Sequence, residues 1–198
     1  DDVEQEVGLA LAARYSPDEL SMLLLDYKQG LEFHRFAPDA EGRGWLPHVK
    51  VLSLESDQEF GVAVLRHVTE ELERRSRLFK EAGAPSIGAY RRATGLAVPR
   101  MLVIIDEFGE LLTARPDFIE LFLSIGRIGR SIGVHLMLSS QRIEGGKLRG
   151  LDTYLSYRIG LRTLSESESR TILETTDAFH LPPIPGYGYL KVDTTTYT

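Results

Sequence analysis

The sequence predicts an α/β fold: a three-layer sandwich with a mainly parallel central sheet and helices on both faces. Three observations carry this reading. Strand-like and helix-like segments alternate along the chain, the pattern expected of crossover units. Two short runs, residues 22–25 and 101–105, are apolar at every position, as strands covered on both faces must be. Residues 57–82 repeat their apolar side chains at helical spacing instead. A chain of 198 residues with 42% hydrophobic content is suited to one compact domain over residues 1–198.

Taken in order, residues 3–14 read as a helix, with Val7, Ala10, Leu11 and Arg14 at helical spacing and the turn Tyr15-Ser16-Pro17 after it. Ser16 and Pro17 form a helix-start signal, a cap followed by a first-turn proline, that leads directly into a buried strand over 21–26. Residues 27–47 are irregular, glycine-bearing and marked by Phe33, Phe36 and Trp45; a loop this long is expected to be functional or mobile. Residues 49–54 form a second strand. In the long helix over 57–82, Val64, Leu65, Val68, Leu72, Leu78 and Phe79 make the buried stripe, with Glu70, Glu71, Glu73, Arg74, Arg75 and Arg77 on a solvated face.

A short helix near 86–92 returns the chain to the strand at 101–105. Pro116 starts a further helix whose Phe118, Leu121, Phe122, Ile125 and Ile128 face the core, and Gly133 stops it before a strand over 135–139. A strand over 154–161, a capped helix over 165–174 and a final strand over 187–192 complete the alternation.

Composition excludes several classes of chemistry. There is no cysteine, hence no disulfide and no thiolate nucleophile or ligand, and five scattered histidines show no metal-binding spacing. No apolar run reaches the length of a membrane span, and the first residues lack the basic-then-apolar pattern of a signal sequence. The net charge of −6 argues against a surface that coats nucleic acid. The charge is uneven: residues 1–114 carry 13 basic and 20 acidic side chains, and residues 115–170 carry 9 and 6.

The chemistry concentrates where the apolar run 101–105 ends in Asp106 and Glu107. A central parallel strand delivers such residues to its carboxyl edge, where ligands bind in open α/β sheets. An Asp there suits Mg²⁺, held through its water shell, and the acid after it suits orienting or deprotonating an attacking water. The pair therefore reads as the metal and water half of a nucleoside triphosphatase site. The partner motif Gly-x-x-x-x-Gly-Lys-Ser/Thr, whose amides and Lys cradle phosphates, occurs nowhere in the sequence. Gly146-Lys147 is followed by Leu148 and does not join a strand to a helix, so it is not a disguised version. The opening helix has the character of the back half of a helix into which such a loop would lead.

Several ordered motifs resemble one family. Residues 101–192 resemble the ATPase modules of the FtsK/SpoIIIE superfamily, and most closely the EccC-type ATPases of type VII secretion. The resemblance rests on Ile-Asp-Glu-Phe-Gly-Glu-Leu-Leu (105–112), Ile-Gly-Arg-Ile-Gly-Arg-Ser-Ile-Gly-Val-His-Leu (125–136) and Ser-Ser-Gln-Arg (139–142). It continues in Gly-Lys-Leu-Arg-Gly-Leu (146–151), Leu-Ser-Tyr-Arg-Ile-Gly-Leu-Arg-Thr (155–163), Glu-Ser-Arg-Thr-Ile-Leu (168–173) and Gly-Tyr-Gly-Tyr-Leu (186–190). Leu-Asp-Tyr-Lys-Gln-Gly (25–30), Leu-Pro-His-Val (46–49) and Glu-Ser-Asp-Gln-Glu-Phe-Gly (55–61) resemble the superfamily more generally.

The resemblance implies a RecA-like three-layer sandwich over residues 1–198, truncated at its amino end so that the phosphate-loop strand and loop are missing. It implies ATP and Mg²⁺ as cofactors, with Asp106 on the metal and Glu107, Gln141 and Asp106 at the nucleotide and water. Arg127 and Arg130 are the arginines implied to act on a neighbouring subunit's nucleotide, the alternative being a helix end neutralised by its own cations. Arg158, Arg162 and Arg170 are lesser candidates, and Asp26 and Lys28 end a strand beside the site. The implied function is a motor module coupling ATP hydrolysis to export of a secreted protein, in a ring, hexameric by family pattern, of ATPase domains or subunits. It would form a cytoplasmic part of a bacterial protein anchored in the membrane by other segments. Two alternatives stand beside it: a DNA translocase using Lys147 and Arg149, and a degenerate module that binds a secreted peptide or a neighbouring domain. Without phosphate-cradling amides and their Lys, the chain by itself is expected to hydrolyse ATP negligibly.

Overall fold

In the computed structural model the described residues are 3–27, 33–53, 58–143, 146, 148 and 150–198. They fall into two compact units, Asp1–Ser139 and Ser140–Thr198.

In the first unit the apolar runs become the middle of a parallel sheet. β1 (Leu20–Asp26) is buried at every residue, and β3 (Arg100–Asp106) is buried from Met101 to Ile105. Side chains alternate between sheet faces, so unbroken burial requires cover on both. β2 (Val49–Ser53) and β4 (Val134–Leu138) lie outside them in the order β2-β1-β3-β4, and every pairing is parallel. Parallel neighbours need crossovers. α2 (Gln58–Glu81) and α3 (Ile87–Thr94) connect β2 to β3, and α4 (Phe108–Ala114) and α5 (Phe118–Ile132) connect β3 to β4. This is the α/β architecture with a parallel central sheet that the alternation predicts.

One face of the sheet, Met22, Leu24, Leu102 and Ile104, is covered by Leu9, Leu11 and Ala12 of α1 (Val3–Arg14) and by Phe33 and Phe36. The irregular stretch 27–47 thus contributes two aromatics to the core, while Trp45 stays exposed. The alternate residues Leu23, Leu25, Val103 and Ile105 are buried as well, and α5 packs on both β4 and α2. The signal at Ser16 yields one turn: the Ser16 N–H and hydroxyl both donate to Glu19 (2.9 and 3.1 Å), and Leu20 already begins β1. α4 lies outside the predicted elements, although Phe108, Leu111 and Leu112 are buried at helical spacing.

Two residues depart from their expected surroundings. Arg75, expected in solvent, is 2% exposed. Its guanidinium donates to Glu71 at 2.7 Å and to the carbonyls of Ile132 (3.1 Å), Gly133 (3.2 Å) and Pro99 (2.8 Å). A buried arginine is tolerated when its donors find acceptors, and here they fasten α2 to the α5–β4 turn and to the entrance of β3. Ile128, expected in the core, is 41% exposed because the next residue, Gly129, makes the contact instead. α5 lies so near β4 that a Cβ on Gly129 would sit 2.2 Å from the Val134 carbonyl oxygen. Gly133 ends α5 in the left-handed conformation, φ 75°, as its position predicts.

The second unit has a different sheet. β5 (Tyr157–Leu161), β6 (Gly188–Val192) and β7 (Thr195–Tyr197) form an antiparallel sheet in sequence order. The segments at 154–161 and 187–192, expected to join the parallel sheet, pair with each other instead, and residues 151–154 form a 3₁₀ turn ahead of β5. Their burial explains the difference: β5 alternates between sheltered and exposed positions, as one-sided antiparallel strands do. α6 (Glu166–Leu173) opens with a reciprocal capping box between Ser165 and Glu168 and packs on β5.

Candidate functional site

The carboxyl edge of the parallel sheet is built around the end of β3. Asp106, half-buried, is its last residue and stands in register with Asp26, the buried last residue of β1. Tyr27 donates its N–H to the Asp106 carbonyl at 3.2 Å, which holds the two strand ends level. From the β4 side the Ser139 hydroxyl donates to Asp106 Oδ1 at 2.7 Å. The backbone of Ser139 brackets the same corner, its N–H donating to the Ile105 carbonyl at 3.0 Å and its carbonyl accepting from the Phe108 N–H at 3.1 Å.

Glu107 lies inside that bracket with φ 55° and ψ 47°, a left-handed backbone. For a residue with a Cβ this conformation costs about 1–2 kcal/mol. It turns the chain from β3 into α4 within one residue, and the Glu107 carbonyl accepts from the Glu110 N–H at 2.9 Å. The Glu107 side chain is held against the protein, 7% exposed, rather than extended into solvent. A glycine would avoid the strain, so a glutamate retained here points to a use for its carboxylate.

Mg²⁺ in phosphoryl-transfer sites is held by one or two carboxylates, with phosphates and waters completing an octahedron. Among the described residues no group of three or more His, Asp and Glu could enclose a metal. Asp106 offers one carboxylate whose Oδ1 is already fixed by Ser139.

The other predicted residues are distributed differently. Arg127 and Arg130 are exposed on the last turns of α5. That helix ends at the opposite, amino edge of the sheet, where Gly133 accepts from the Met101 N–H at 2.8 Å. The rise of β3, roughly 20 Å at about 3.3 Å per residue, separates this edge from Asp106. The fold does not bring these two arginines to the carboxylates of their own chain. Gln141 is exposed in a bend of the second unit. Arg158 is engaged structurally, donating to the carbonyls of Leu155 (3.0 Å), Ile172 (3.3 Å) and Asp152 (2.8 Å). Arg170 pairs with Glu166 at 3.0 Å on an exposed helix face, and Arg162 is exposed. Lys28, Lys147 and Arg149 lie outside the described residues.

The sequence places Ser139 at the end of a strand and in the Ser-Ser-Gln-Arg motif, without a role at the carboxylates, and carries no signal for the strain at Glu107. A small hydroxyl residue closing the strand beside an acidic strand end is the pattern that could have revealed the first. A groove of about 320 Å³ beside α2 is lined by Arg66, Glu70, Glu73, Arg115, Asp117 and Phe118, apart from the strand-end carboxylates. Arg115 is occupied there, paired with Asp117 at 2.7 Å and stacked 4.9 Å from the centre of the Phe118 ring.

Parallel sheet, covering helices and carboxylates at the carboxyl edge define a RecA-like ATPase-type domain. The chain is a member of the FtsK/SpoIIIE superfamily and resembles EccC-type ATPases: the FtsK/SpoIIIE family model matches residues 8–96, and similarity to an EccC protein extends over 94% of this chain. The ESX secretion system protein EccC of Thermomonospora curvata is 46% identical over 194 residues, which cover 94% of this chain and 14% of that protein. The solved cytoplasmic domain of the Thermomonospora curvata type VII secretion ATPase EccC superposes with a TM-score of 0.86 at 43% identity, covering 98% of this chain and 23% of that one. Thermomonospora curvata EccC ATPases 2 and 3, solved in complex with a signal sequence peptide, share the fold at a TM-score of 0.71 and 20% identity, covering 94% of this chain and 32% of that one. The chain thus spans about one seventh of the curated EccC relative. The superfamily is one of nucleotide-binding ATPases. Among the described residues no helix is long and apolar enough to cross a membrane. The similarity to secretion ATPases does not favour the DNA-translocase or degenerate-module alternatives.

Proposed function

We propose that this chain is an ATPase motor module of a type VII secretion system, coupling ATP binding and hydrolysis to the export of a protein substrate. The observation that carries the reading is the strained Asp106-Glu107 corner at the sheet's carboxyl edge, within a chain nearly half identical to an EccC protein. When bound, Mg²⁺ supplies charge neutralisation at the transferring phosphoryl group. Asp106 would hold that ion through its water shell, using the oxygen that Ser139 leaves open. Glu107, fixed one residue further on, would orient the attacking water and take its proton. Gln141 would report on the γ-phosphate.

Arg127 and Arg130 are exposed and remote from their own strand-end carboxylates, so they are suited to a neighbour's nucleotide rather than their own. That assignment calls for adjoining ATPase domains or subunits, a ring of six being the arrangement we favour, on the cytoplasmic side of a membrane. A segment with phosphate-cradling amides and a Lys is also required, since the sequence contains no such motif. The test is Glu107→Gln in the full-length protein, in the bacterium that makes it. Export of the substrate should stop while the variant accumulates to normal levels. Undiminished export would overturn the proposal.

A further inference from the structure

We propose that Ser139 is a positioning residue for the metal-facing carboxylate, and that its hydroxyl decides which oxygen of Asp106 faces the ion. This inference rests on the nucleotide-binding reading above. Its geometric basis is the threefold engagement of one corner by one residue. Ser139 meets Ile105 through its N–H (3.0 Å), Asp106 through its hydroxyl (2.7 Å) and Phe108 through its carbonyl (3.1 Å). The two backbone bonds extend the pairing of β4 with β3 and would survive with any non-proline side chain at position 139. Only the hydroxyl bond depends on the residue type, and it ends on the carboxylate rather than on backbone.

Its position immediately after β4 gives that bond a specific consequence. Asp106 stands in register with Asp26 on β1, and from the β4 side the Ser139 hydroxyl donates to its Oδ1 at 2.7 Å. Oδ1 is thereby committed to β4, the carboxylate torsion is fixed, and Oδ2 becomes the oxygen available to a metal-bound water. A hydrogen bond to the far oxygen of a metal-binding carboxylate orients it and raises metal affinity by about 10–100-fold in comparable sites. The effect belongs to the metal-dependent part of nucleotide binding alone, because the hydroxyl has no role toward the phosphates in this arrangement.

The experiment compares binding of a fluorescent, non-hydrolysable ATP analogue to the full-length protein in Mg²⁺ and in EDTA. The wild type is measured beside Ser139→Ala and Ser139→Thr. Ser139→Ala is expected to weaken binding in Mg²⁺ by about tenfold or more, to leave binding in EDTA unchanged, and to be rescued by Ser139→Thr, which restores a hydroxyl. Equal losses with and without Mg²⁺, or no loss in either, would overturn the positioning role while leaving the nucleotide-binding reading intact. Wild-type binding that is indifferent to Mg²⁺ would likewise overturn the positioning role alone, whereas a wild-type protein that binds the analogue in neither condition would overturn both.

Discussion

The two sheets of this protein invert each other's logic. In β1 and β3 the apolar side chains point into cover on both faces, and polarity is deferred to the final residues, Asp26 and Asp106. In β5 the apolar side chains Tyr157, Ile159 and Leu161 point outward and are exposed, while Arg158 and Gly160 face the covering helix. Gly160 allows α6 to come close: a Cβ there would lie 3.0 Å from Leu173. Arg158 spends its guanidinium on three carbonyls. The first sheet is thus held by apolar burial with the buried Arg75 at its margin, and the second by backbone proximity and polar fastening. A continuous apolar run is therefore a reliable sign of a strand that builds a site, whereas a short alternating strand does not reveal which of its faces will be covered.

The largest expected effect tests the buried fastening of the first unit. Arg75→Met removes the partner of Glu71 and strips donors from Ile132, Gly133 and Pro99, and should destabilise by about 3–5 kcal/mol. The loss should appear in urea titrations and in reduced hydrogen-exchange protection across β3 and β4. The same cluster gives a pH signature. Burial pushes the Glu71 carboxyl up, but its bonds to Arg74 and Arg75 outweigh this and lower it from 4.5 to about 2. A lowered folded-state value means that stability is fully present above pH 4.5 and is lost as the pH falls toward 2. The swing is at most about 3 kcal/mol, and less in practice, because Glu71 is only partly buried and solvent screens its ion pairs. Arg75→Met should shrink it. An acid profile unchanged by the substitution would show that the pair does not fasten the sheet.

A smaller effect is expected in the second unit. Gly160→Ala places a methyl against Leu173 and should cost about 1–3 kcal/mol, since a flexible leucine yields more readily than backbone would. The measurement is hydrogen exchange in β5 and α6. No change there would mean that close approach at Gly160 is dispensable, and that the contrast between the two sheets is less sharp than their geometry suggests.

Much of the first unit was legible because its signals are local and strong. The boundaries of α1, the strand ends at Asp26 and Asp106 and the stop at Gly133 all follow from periodicity, capping chemistry or a residue's conformational range. Arg75 was illegible for a physical reason. Its burial depends on carbonyls supplied by Pro99, Ile132 and Gly133, and nothing near it in sequence announces them. Ile128 was misjudged because helical spacing cannot show that its neighbour Gly129 will touch a strand backbone. At the candidate site, the carboxylates and their chemistry were readable from the apolar run that ends in them. The Ser139 bond and the strained backbone of Glu107 were not, since both arise only when β3 and β4 are brought side by side.

That strain is the point at which fold and function can be separated, and Glu107→Gly is the variant that separates them. A glycine relieves the left-handed backbone and removes the carboxylate. The full-length protein carrying it should show ATP turnover reduced by about a hundredfold or more, as expected when a general base is lost. Its unfolding free energy should be unchanged or raised by up to about 1 kcal/mol. Turnover within about tenfold of the wild type would contradict the claim that Glu107 is held in its strained conformation for catalysis.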